Sequence, residues 1–350
     1  MPPLEVTIEV HSNMIRVAVI GAGYWGPNLI RNFMMCPTTE LAAVCDLDTA
    51  RLAKVLLQYP SVEAVASYDD LLKRADIDAV AIATPVRFHG SMGLAALEAG
   101  KHVLIEKPMA GSVREAEELV RLAEAKHLTL MVDHTFVYSP PVRKIKELID
   151  SGEIGELFYV DSVRINLGLF QHDVNVVWDL APHDLSILDY LVGRLPKSIS
   201  AFGSCHTESS REIEDVAHLN LDFGGGFMAS FHVNWLSPVK IRQFLIGGSK
   251  KGIVYNDLEV AEKVKVYDRG ITVQPTDDTK RELLIGYRTG DVWSPHIEQQ
   301  EPLQNMVRHF AECVEKNSAP LTGGAAGLRV VQILEAAQRS IKAQGGRITF

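Results

Sequence analysis

Residues 15–26, Ile-Arg-Val-Ala-Val-Ile-Gly-Ala-Gly-Tyr-Trp-Gly, decide the fold of the first half of this 350-residue chain. A continuous apolar run leads directly into three spaced glycines, and Pro27 then opens a helical segment. The first glycine permits a tight turn, the second lets the backbone approach a pyrophosphate, and the third lets helix and strand pack closely. Free N–H groups and the helix dipole favour an anion at such a helix start. The residues that we expect to contact a dinucleotide are those of this turn: Gly21, Gly23, Tyr24, Trp25 and Gly26.

Asp46 supports the dinucleotide prediction. It ends the second predicted strand, 20 residues after Gly26, where a carboxylate can accept both ribose hydroxyls of an adenosine. The same carboxylate would repel the extra phosphate of NADP, because like charges about 4 Å apart repel by up to several kcal/mol at intermediate dielectric. NAD is therefore predicted, with NADP the less favoured cofactor. Two alternatives stay open: Asp46 or Asp48 could only cap the next helix, and Arg51 could reach a phosphate and relax the preference.

Short apolar runs alternate with helical segments between residues 14 and 132. Because these runs are continuous, they are typical of strands buried on both faces, and the strand-helix-strand alternation indicates a doubly wound parallel sheet. The runs lie at residues 15–20, 41–45, 79–83, 103–105 and 128–132, with a weaker one near Val65.

After residue 141 the sequence predicts one helix that runs to Asp150 and stops at Ser151-Gly152, and the remainder has mostly the pattern of half-buried strands. Residues 217–223 and 227–235 carry apolar side chains at every second place, and the three glycines between them are typical of a hairpin connection. A second hairpin is predicted around residues 247–252. One face of this sheet is expected to be polar. The other face is expected to be covered by helices beginning near Asp179 and Leu303, or by a second subunit.

These patterns predict an α/β protein. An N-terminal Rossmann domain with a doubly wound parallel sheet is expected over residues 1–135, where it would bind NAD. A C-terminal α+β domain with an open, mostly antiparallel sheet is expected over residues 136–350, for substrate binding and oligomerisation. The final helix, within residues 323–346, could pack back on the first domain.

Composition excludes several classes of partner. The chain has 35 Lys and Arg against 44 Asp and Glu, a formal charge of −9, and without a basic block it is a poor match for nucleic acid or anionic membrane. It has no run of about 18 apolar residues that could span a bilayer, and residues 1–13 lack a signal-peptide pattern. Four scattered cysteines favour a reducing compartment. A cytoplasmic protein with no nucleic-acid or membrane partner is expected.

Two further features point to chemistry. Thr84-Pro85 and Glu106-Lys107-Pro108 end the fourth and fifth predicted strands, and in doubly wound sheets the ligand lies beyond such carboxyl ends. Asp179 and His183, four residues apart at a helix start, would share one face. A proton carrier that titrates near neutral pH, paired with a carboxylate and a cleft lysine, indicates acid–base chemistry. As alternatives, Lys107 could be a surface charge, Asp179 a helix cap and His183 an interface histidine.

The segment 99–108 (Ala-Gly-Lys-His-Val-Leu-Ile-Glu-Lys-Pro), Thr84-Pro85 with His89, and the D-x-x-x-H of Asp179 and His183 together resemble the Gfo/Idh/MocA family. Its members are sugar, inositol and sugar-nucleotide oxidoreductases, and the resemblance runs from Met14 to the last helix. It implies homodimers or homotetramers. It also implies that Lys107 touches the nicotinamide ribose and the reacting hydroxyl, that Asp179 helps to hold the substrate or the lysine, and that His183 is the acid/base.

The resemblance adds cofactor contacts from the strand ends, namely Thr84, Pro85, His89, Glu106 and Lys107. Residues 175–185 and 234–240 look closest to the branch found in sugar-nucleotide and surface-polysaccharide biosynthesis, which includes UDP-N-acetylglucosaminuronate 3-dehydrogenases. The expected function is therefore NAD-dependent hydride transfer to or from a secondary hydroxyl or ketone of a sugar or sugar nucleotide. An inositol, free-sugar or sugar-phosphate dehydrogenase, a dihydrodiol or biliverdin type of reductase, and a non-catalytic NAD(P)-binding regulator remain alternatives.

The roles of the two proton carriers follow from their ordinary pKa values. His183, expected to be unperturbed near a pKa of about 6.5, suits a base at neutral pH. Lys107 would need its pKa lowered from about 10.4 by roughly three units, about 4 kcal/mol, so it is assigned hydroxyl polarisation and proton relay. The predicted substrate contacts are Lys107, Arg164, Asn166, Asp179, His183 and Lys240, with Gln171 and Arg242 as further candidates. Asp184 is interpreted as a helix-start charge, and no spacing predicts a metal site.

Overall fold

The computed structural model describes residues 14–168, 170, 174–207, 213–274 and 284–350. Its first sheet is parallel and has the strand order β3-β2-β1-β4-β5-β6. The strands are β1 (Ile15–Ile20), β2 (Thr39–Cys45), β3 (Glu63–Val65), β4 (Ala79–Ile82), β5 (His102–Glu106) and β6 (Leu130–Asp133). The predicted doubly wound parallel sheet is thereby confirmed. The strand order reverses between β1 and β4, and ligands bind beyond the carboxyl ends of strands at such a point.

Helices cover both faces of this sheet, which explains why its strands are continuously apolar. Val17 and Val19 of β1 belong to one buried cluster, whereas Ala18 and Ile20 belong to the cluster on the opposite face. Successive side chains of a strand point to opposite faces, so both kinds of position must be apolar here. The helices are α1 (Gly26–Met35), α2 (Thr49–Gln58), α3 (Tyr68–Leu72), α4 (His89–Glu98) and α5 (Val113–Lys126).

The second sheet is mostly antiparallel, as predicted, with the order β14-β13-β12-β11-β7-β10-β9-β8-β15 and a parallel pairing of β7 with β10. Both predicted hairpins are present, joining β9 to β10 through Gly224–Gly226 and β11 to β12. The strands are β7 (Leu157–Leu167), β8 (Ser198–Ser204), β9 (Val216–Gly224), β10 (Phe227–Asn234), β11 (Leu236–Gly248), β12 (Gly252–Asn256), β13 (Val264–Gln274), β14 (Leu284–Trp293) and β15 (Ile348–Thr349).

The C-terminal part also contains α6 (Pro140–Asp150), α7 (Val176–Val192), α8 (Pro302–Lys316) and α9 (Gly324–Lys342). One face of the second sheet packs against α7 and α9. Helix α9 also contacts α5 and β6 of the parallel-sheet unit, with Val331 in the core of that unit. Within the described ranges, no helix has the length and apolar character needed to cross a membrane.

Helix α8 corrects the prediction that a helix beginning near Leu303 covers the antiparallel sheet. Its buried residues, including Met306 and Phe310, belong to the core of the parallel sheet. The rings of Phe310 and Phe33 of α1 meet edge-to-face with centroids 6.3 Å apart. A late segment of the chain therefore completes the packing around the helix that follows the glycine turn.

Candidate active site

The glycine turn has the geometry that a dinucleotide requires. Gly21 has a φ of +97°, and a Cβ there would lie 2.6 Å from the Ala83 carbonyl oxygen. A Cβ at Gly26 would lie 2.0 Å from the Gly21 carbonyl oxygen, so only glycine allows α1 to start this close to β1. Near Gly23 the closest group in the described residues is the Arg51 guanidinium, at 3.4 Å. Glycine at these three positions thus keeps side chains away from the start of α1, as the approach of an anion to a helix N-terminus requires.

Asp46 lies beside this turn with its carboxylate fixed by backbone. Oδ2 accepts from the Ala22 N–H at 2.7 Å, and Oδ1 accepts from the Asp48 N–H at 2.8 Å. Asp48, not Asp46, caps α2 by accepting from the N–H groups of Ala50 and Arg51. The Arg51 Nη1 lies 3.7 Å from Asp46 Oδ2, so a cation and a carboxylate both flank the expected adenosine ribose.

His89 connects two of the segments that are expected to line the cofactor cleft. Its Nδ1 lies 2.7 Å from the Pro108 carbonyl oxygen and its Nε2 lies 2.7 Å from the Thr84 carbonyl oxygen. The residue is only 1% exposed, so its ring ties the end of β4 to the turn after β5 and faces protein on both nitrogens. Pro85 at the mouth of the cleft is exposed. The Lys107-Pro108 bond is cis.

Lys107 and Asp179 come together although 72 residues separate them in sequence. The Lys107 Nζ donates to the Asp179 carbonyl oxygen at 2.9 Å and lies 3.4 Å from Asp179 Oδ1. Asp179 Oδ2 accepts from the Trp235 indole Nε1 at 3.0 Å. Helix α7 begins at Val176, and Asn175 caps it by accepting from the Trp178 N–H. Asp179 is therefore not the N-cap of α7, and its oxygens orient the Lys107 ammonium group.

His183 lies one turn further along α7, on the same side of the helix as Asp179. Its half-buried ring packs edge-on against Phe136 with centroids 5.3 Å apart. The surrounding protein, together with the nearby cations Lys107, Arg164 and Arg242, holds the pKa of His183 well below its usual value. The expectation of an unperturbed pKa is therefore wrong. A neutral imidazole at pH 7 has one nitrogen that can accept a proton.

Arg164 has a different role from the one that the sequence suggested. It is 3% exposed, and its Nε donates to Asp184 Oδ1 at 2.7 Å. Ser162 Oγ donates to the other oxygen of Asp184 at 2.7 Å. Asp184 is thus the buried partner of an arginine and not a solvated helix-start charge. Arg164 is correspondingly a buried structural cation behind His183 rather than an accessible substrate contact.

The other predicted substrate residues are spread more widely. Asn166 is half-buried on β7, its amide nitrogen 3.4 Å from where a Gly168 Cβ would lie. Lys240 is exposed on β11. Gln171 lies outside the described residues.

Lys107 was predicted as a site residue because it follows the carboxyl end of a strand. His134 meets the same criterion but was not predicted. His134 directly follows β6, and neither of its buried ring nitrogens has a hydrogen-bond partner within the described part of the chain. Burial and the charge of Lys107 lower the pKa of His134 to about 3. The Lys107 charge is thus flanked by two imidazoles that the protein keeps neutral.

Two carboxyl groups, those of Glu106 and Asp133, lie near Lys107 at the ends of β5 and β6. Glu106 Oε2 accepts from the Lys107 N–H at 3.1 Å, and Asp133 Oδ2 accepts from the Trp25 indole at 3.1 Å. Burial and the neighbouring Asp133 hold the pKa of Glu106 well above its usual range. Trp25 of the glycine turn is thereby linked to the strand next to Lys107. The contact that Glu106 makes with Lys107 is this hydrogen bond to its backbone N–H.

Comparison with known proteins agrees with this arrangement. A family model described as an oxidoreductase family with an NAD-binding Rossmann fold matches residues 15–134, and the GFO/IDH/MocA C-terminal domain matches residues 142–254. A UDP-N-acetylglucosamine 3-dehydrogenase from Acidithiobacillus ferrooxidans is 32% identical over 91% of this chain and 94% of its own. The chain belongs to the Gfo/Idh/MocA oxidoreductase family. It is accordingly an oxidoreductase with an NAD-binding Rossmann fold.

Proteins to which this chain is similar differ in substrate and cofactor. The solved structure of the Acidithiobacillus enzyme has a TM-score of 0.77 at 25% identity, covering 94% of this chain and 98% of that one. The NADP-dependent scyllo-inositol 2-dehydrogenase of Bacillus subtilis is 24% identical over 94% of both chains. An Agrobacterium radiobacter oxidoreductase solved with NAD+, L-tartaric acid and magnesium has a TM-score of 0.79 at 22% identity, covering 96% of this chain and 98% of that one. Family membership alone therefore leaves the substrate and the cofactor phosphate open.

Proposed function

We propose that this protein is an NAD-dependent dehydrogenase that transfers a hydride between nicotinamide and a secondary hydroxyl, or the corresponding ketone, of a sugar nucleotide. The observation that carries the proposal is the contact of the Lys107 ammonium with Asp179, one helical turn before His183 on α7, at the carboxyl end of β5. A protein that only sensed NAD would gain nothing from a lysine, a carboxylate and an imidazole gathered at that point. The similarity to a UDP-N-acetylglucosamine 3-dehydrogenase over nearly the whole chain supports the substrate class.

The residues divide the work of alcohol oxidation. NAD, when bound, supplies the carbon that accepts the hydride. His183, kept neutral by its surroundings, takes the hydroxyl proton. Lys107 polarises the hydroxyl oxygen with its ammonium group, which Asp179 orients through its carbonyl and carboxylate oxygens. Trp235 in turn fixes the Asp179 carboxylate. In the reverse direction the same groups return the proton to the carbonyl oxygen.

The test is turnover, followed at the nicotinamide absorbance, on a panel of UDP-sugars, TDP-sugars, inositols and free hexoses. His183→Asn should keep NAD affinity and lower turnover by at least about a hundredfold, the usual contribution of a positioned acid or base. Lys107→Ala should lower it further. His127→Asn, at an exposed histidine that ends α5 with a φ of 54° that asparagine also tolerates, serves as the control. Tight NAD binding with no turnover on any compound would identify a sensor, and turnover on inositols alone would replace the substrate class.

The cofactor preference is proposed to depend on Asp46. Its carboxylate is held in place by Ala22 and Asp48, where it would accept from ribose hydroxyls and repel a 2′-phosphate. Asp46→Ala should weaken NAD binding and narrow the ratio of NAD to NADP affinity. Arg51→Ala is the matched variant, because it removes a cation next to Asp46 that would favour a phosphate. An unchanged affinity ratio in Asp46→Ala would reject the assignment.

A further inference from the structure

Arg242 is a second arginine next to the reaction cleft. In the register of β11 against β7, Arg242 lies opposite Arg164, so the two side chains share the face of the sheet that packs against α7. The charges of both act on His183, whose pKa they lower. Arg164 pairs with the buried carboxylate of Asp184, whose other oxygen accepts from Ser162. Of these two neighbouring guanidinium groups on one face of the sheet, Arg164 is thus neutralised by a buried carboxylate.

The acid nearest to Arg242 is shared with other groups. Arg242 Nη1 lies 3.4 Å from Asp257 Oδ2. The Lys263 Nζ is also 3.4 Å from Asp257 Oδ1, and the Tyr255 hydroxyl donates to the same oxygen at 3.2 Å. One carboxylate therefore serves two cations. This corner of the site keeps an excess of positive charge.

The Arg242 guanidinium also has an unused donor. Its Nε is buried and makes no hydrogen bond within the described residues. The side chain as a whole is 30% exposed, so part of it remains open to a ligand. A guanidinium has five N–H donors in a planar fork that fits the paired oxygens of a carboxylate or phosphate. A neutral polyol offers no comparable acceptor for such a fork.

We propose that Arg242 binds an anionic group of the substrate, a carboxylate or a phosphate, next to the hydroxyl on which His183 acts. The inference rests on the proposed dehydrogenase function and makes it more specific, since it favours charged sugars over inositols and neutral free sugars. The shared chemistry is a pair of anionic oxygens, which either a uronate or a nucleoside diphosphate supplies.

Ligand binding to the NAD-loaded protein tests the site without relying on turnover. UDP and glucuronate are titrated by calorimetry into the parent, Arg242→Gln and Arg242→Lys. The control is Arg347→Gln, because Arg347 lies directly before β15, is mostly exposed and pairs with Asp222. The parent and the control should bind at least one of the two ligands. Arg242→Gln should weaken that binding by at least about tenfold, and Arg242→Lys should restore only part of it because lysine lacks the fork.

The two sources of the anion give different results. Loss of UDP binding assigns Arg242 to a diphosphate, and loss of glucuronate binding alone assigns it to a carboxylate; either supports the proposal. Equal affinity of parent and Arg242→Gln for both ligands, or no binding of either to the parent, overturns it. Melting temperature and NAD affinity identify a variant that fails to fold, in which case the comparison of Arg242→Lys with the parent decides. Because binding is measured apart from turnover, a failed dehydrogenase assay would not by itself remove the anion site.

Discussion

At the scale of single residues, the depressed pKa of His183 sets the pH dependence of the proposed reaction. Its neutral form is favoured by the enclosing protein and by Lys107, Arg164 and Arg242. As a base for alcohol oxidation, the imidazole stays competent below pH 6.5, where a free histidine would already be half protonated. The acid limb of kcat/KM in the oxidation direction should therefore lie below pH 6.5. A limb at or above that value would contradict the assignment, and His183→Asn should lack it.

His134 predicts a pH dependence of stability. Its folded pKa of about 3 lies below the usual value of 6.5, so the folded state excludes a proton that the unfolded chain accepts. The part of the free energy of unfolding that depends on a neutral His134 is therefore fully present above pH 6.5. It decreases as the pH falls towards 3, by up to about 1.4 kcal/mol per pH unit. His183 acts in the same direction.

His134→Phe removes that titration while filling the same space. The free energy of unfolding in urea should consequently fall less for this variant than for the parent between about pH 7.5 and about pH 5. Burying a ring without unpaired nitrogens should also leave the variant at least as stable as the parent at the lower pH. The same pH slope in both proteins would show that His134 does not titrate on unfolding.

At the scale of elements, helix α8 stabilises a sheet that lies far from it in sequence. Phe310 of α8 is fully buried against α1 and β1, so Phe310→Ala should lower the free energy of unfolding by about 3–5 kcal/mol. Because α8 supports the helix whose start faces the cofactor, NAD affinity should fall as well. Phe202→Ala, at an exposed position, is the control and should change stability little. A loss below about 1 kcal/mol for Phe310→Ala would show that α8 does not support the parallel sheet.

The elements that sequence predicted best are those whose pattern is local. Strand-helix alternation and a glycine turn determine the parallel sheet, and period-two alternation with glycine hairpins determines the antiparallel one. A helix beginning near Leu303 was predicted as well. Sequence shows that a helix forms but does not tell which sheet it meets, so α8 was assigned to the wrong one.

The same distinction applies within the site. Lys107 could be found because a strand-end position is visible in sequence, and His134 meets the same criterion. The pairing of Arg164 with Asp184 could not be foreseen, because it depends on how β7 packs against α7, 20 residues away. The pKa of His183 likewise depends on cations from three separate segments. Distances between elements, rather than residue types, are what the sequence left undetermined.

At the scale of the whole molecule, the antiparallel sheet has a second face that the described helices do not cover. Tyr159, Met228 and Leu245 on β7, β10 and β11 are 45%, 51% and 39% exposed, and the strand register places Met228 next to Tyr159. Exposed large apolar side chains that lie near one another on a sheet face often mark an interface. We expect a second copy of the chain to cover it, because symmetric dimers are the commonest assembly and a sheet face is self-complementary under a two-fold axis.

The parent should accordingly run as a homodimer, or a tetramer built from such dimers, in size-exclusion chromatography with light scattering at micromolar concentration. The double substitution Met228→Glu with Leu245→Glu would bring like charges together across the two-fold axis and should shift the protein to monomers. Leu57→Glu on α2, also at an exposed leucine, should leave the assembly unchanged. A monomeric parent, or an oligomer that survives the double substitution, would show that this face is not the interface. Since this face lies on the opposite side of the sheet from α7, which carries His183, NAD affinity should persist in the monomeric variant.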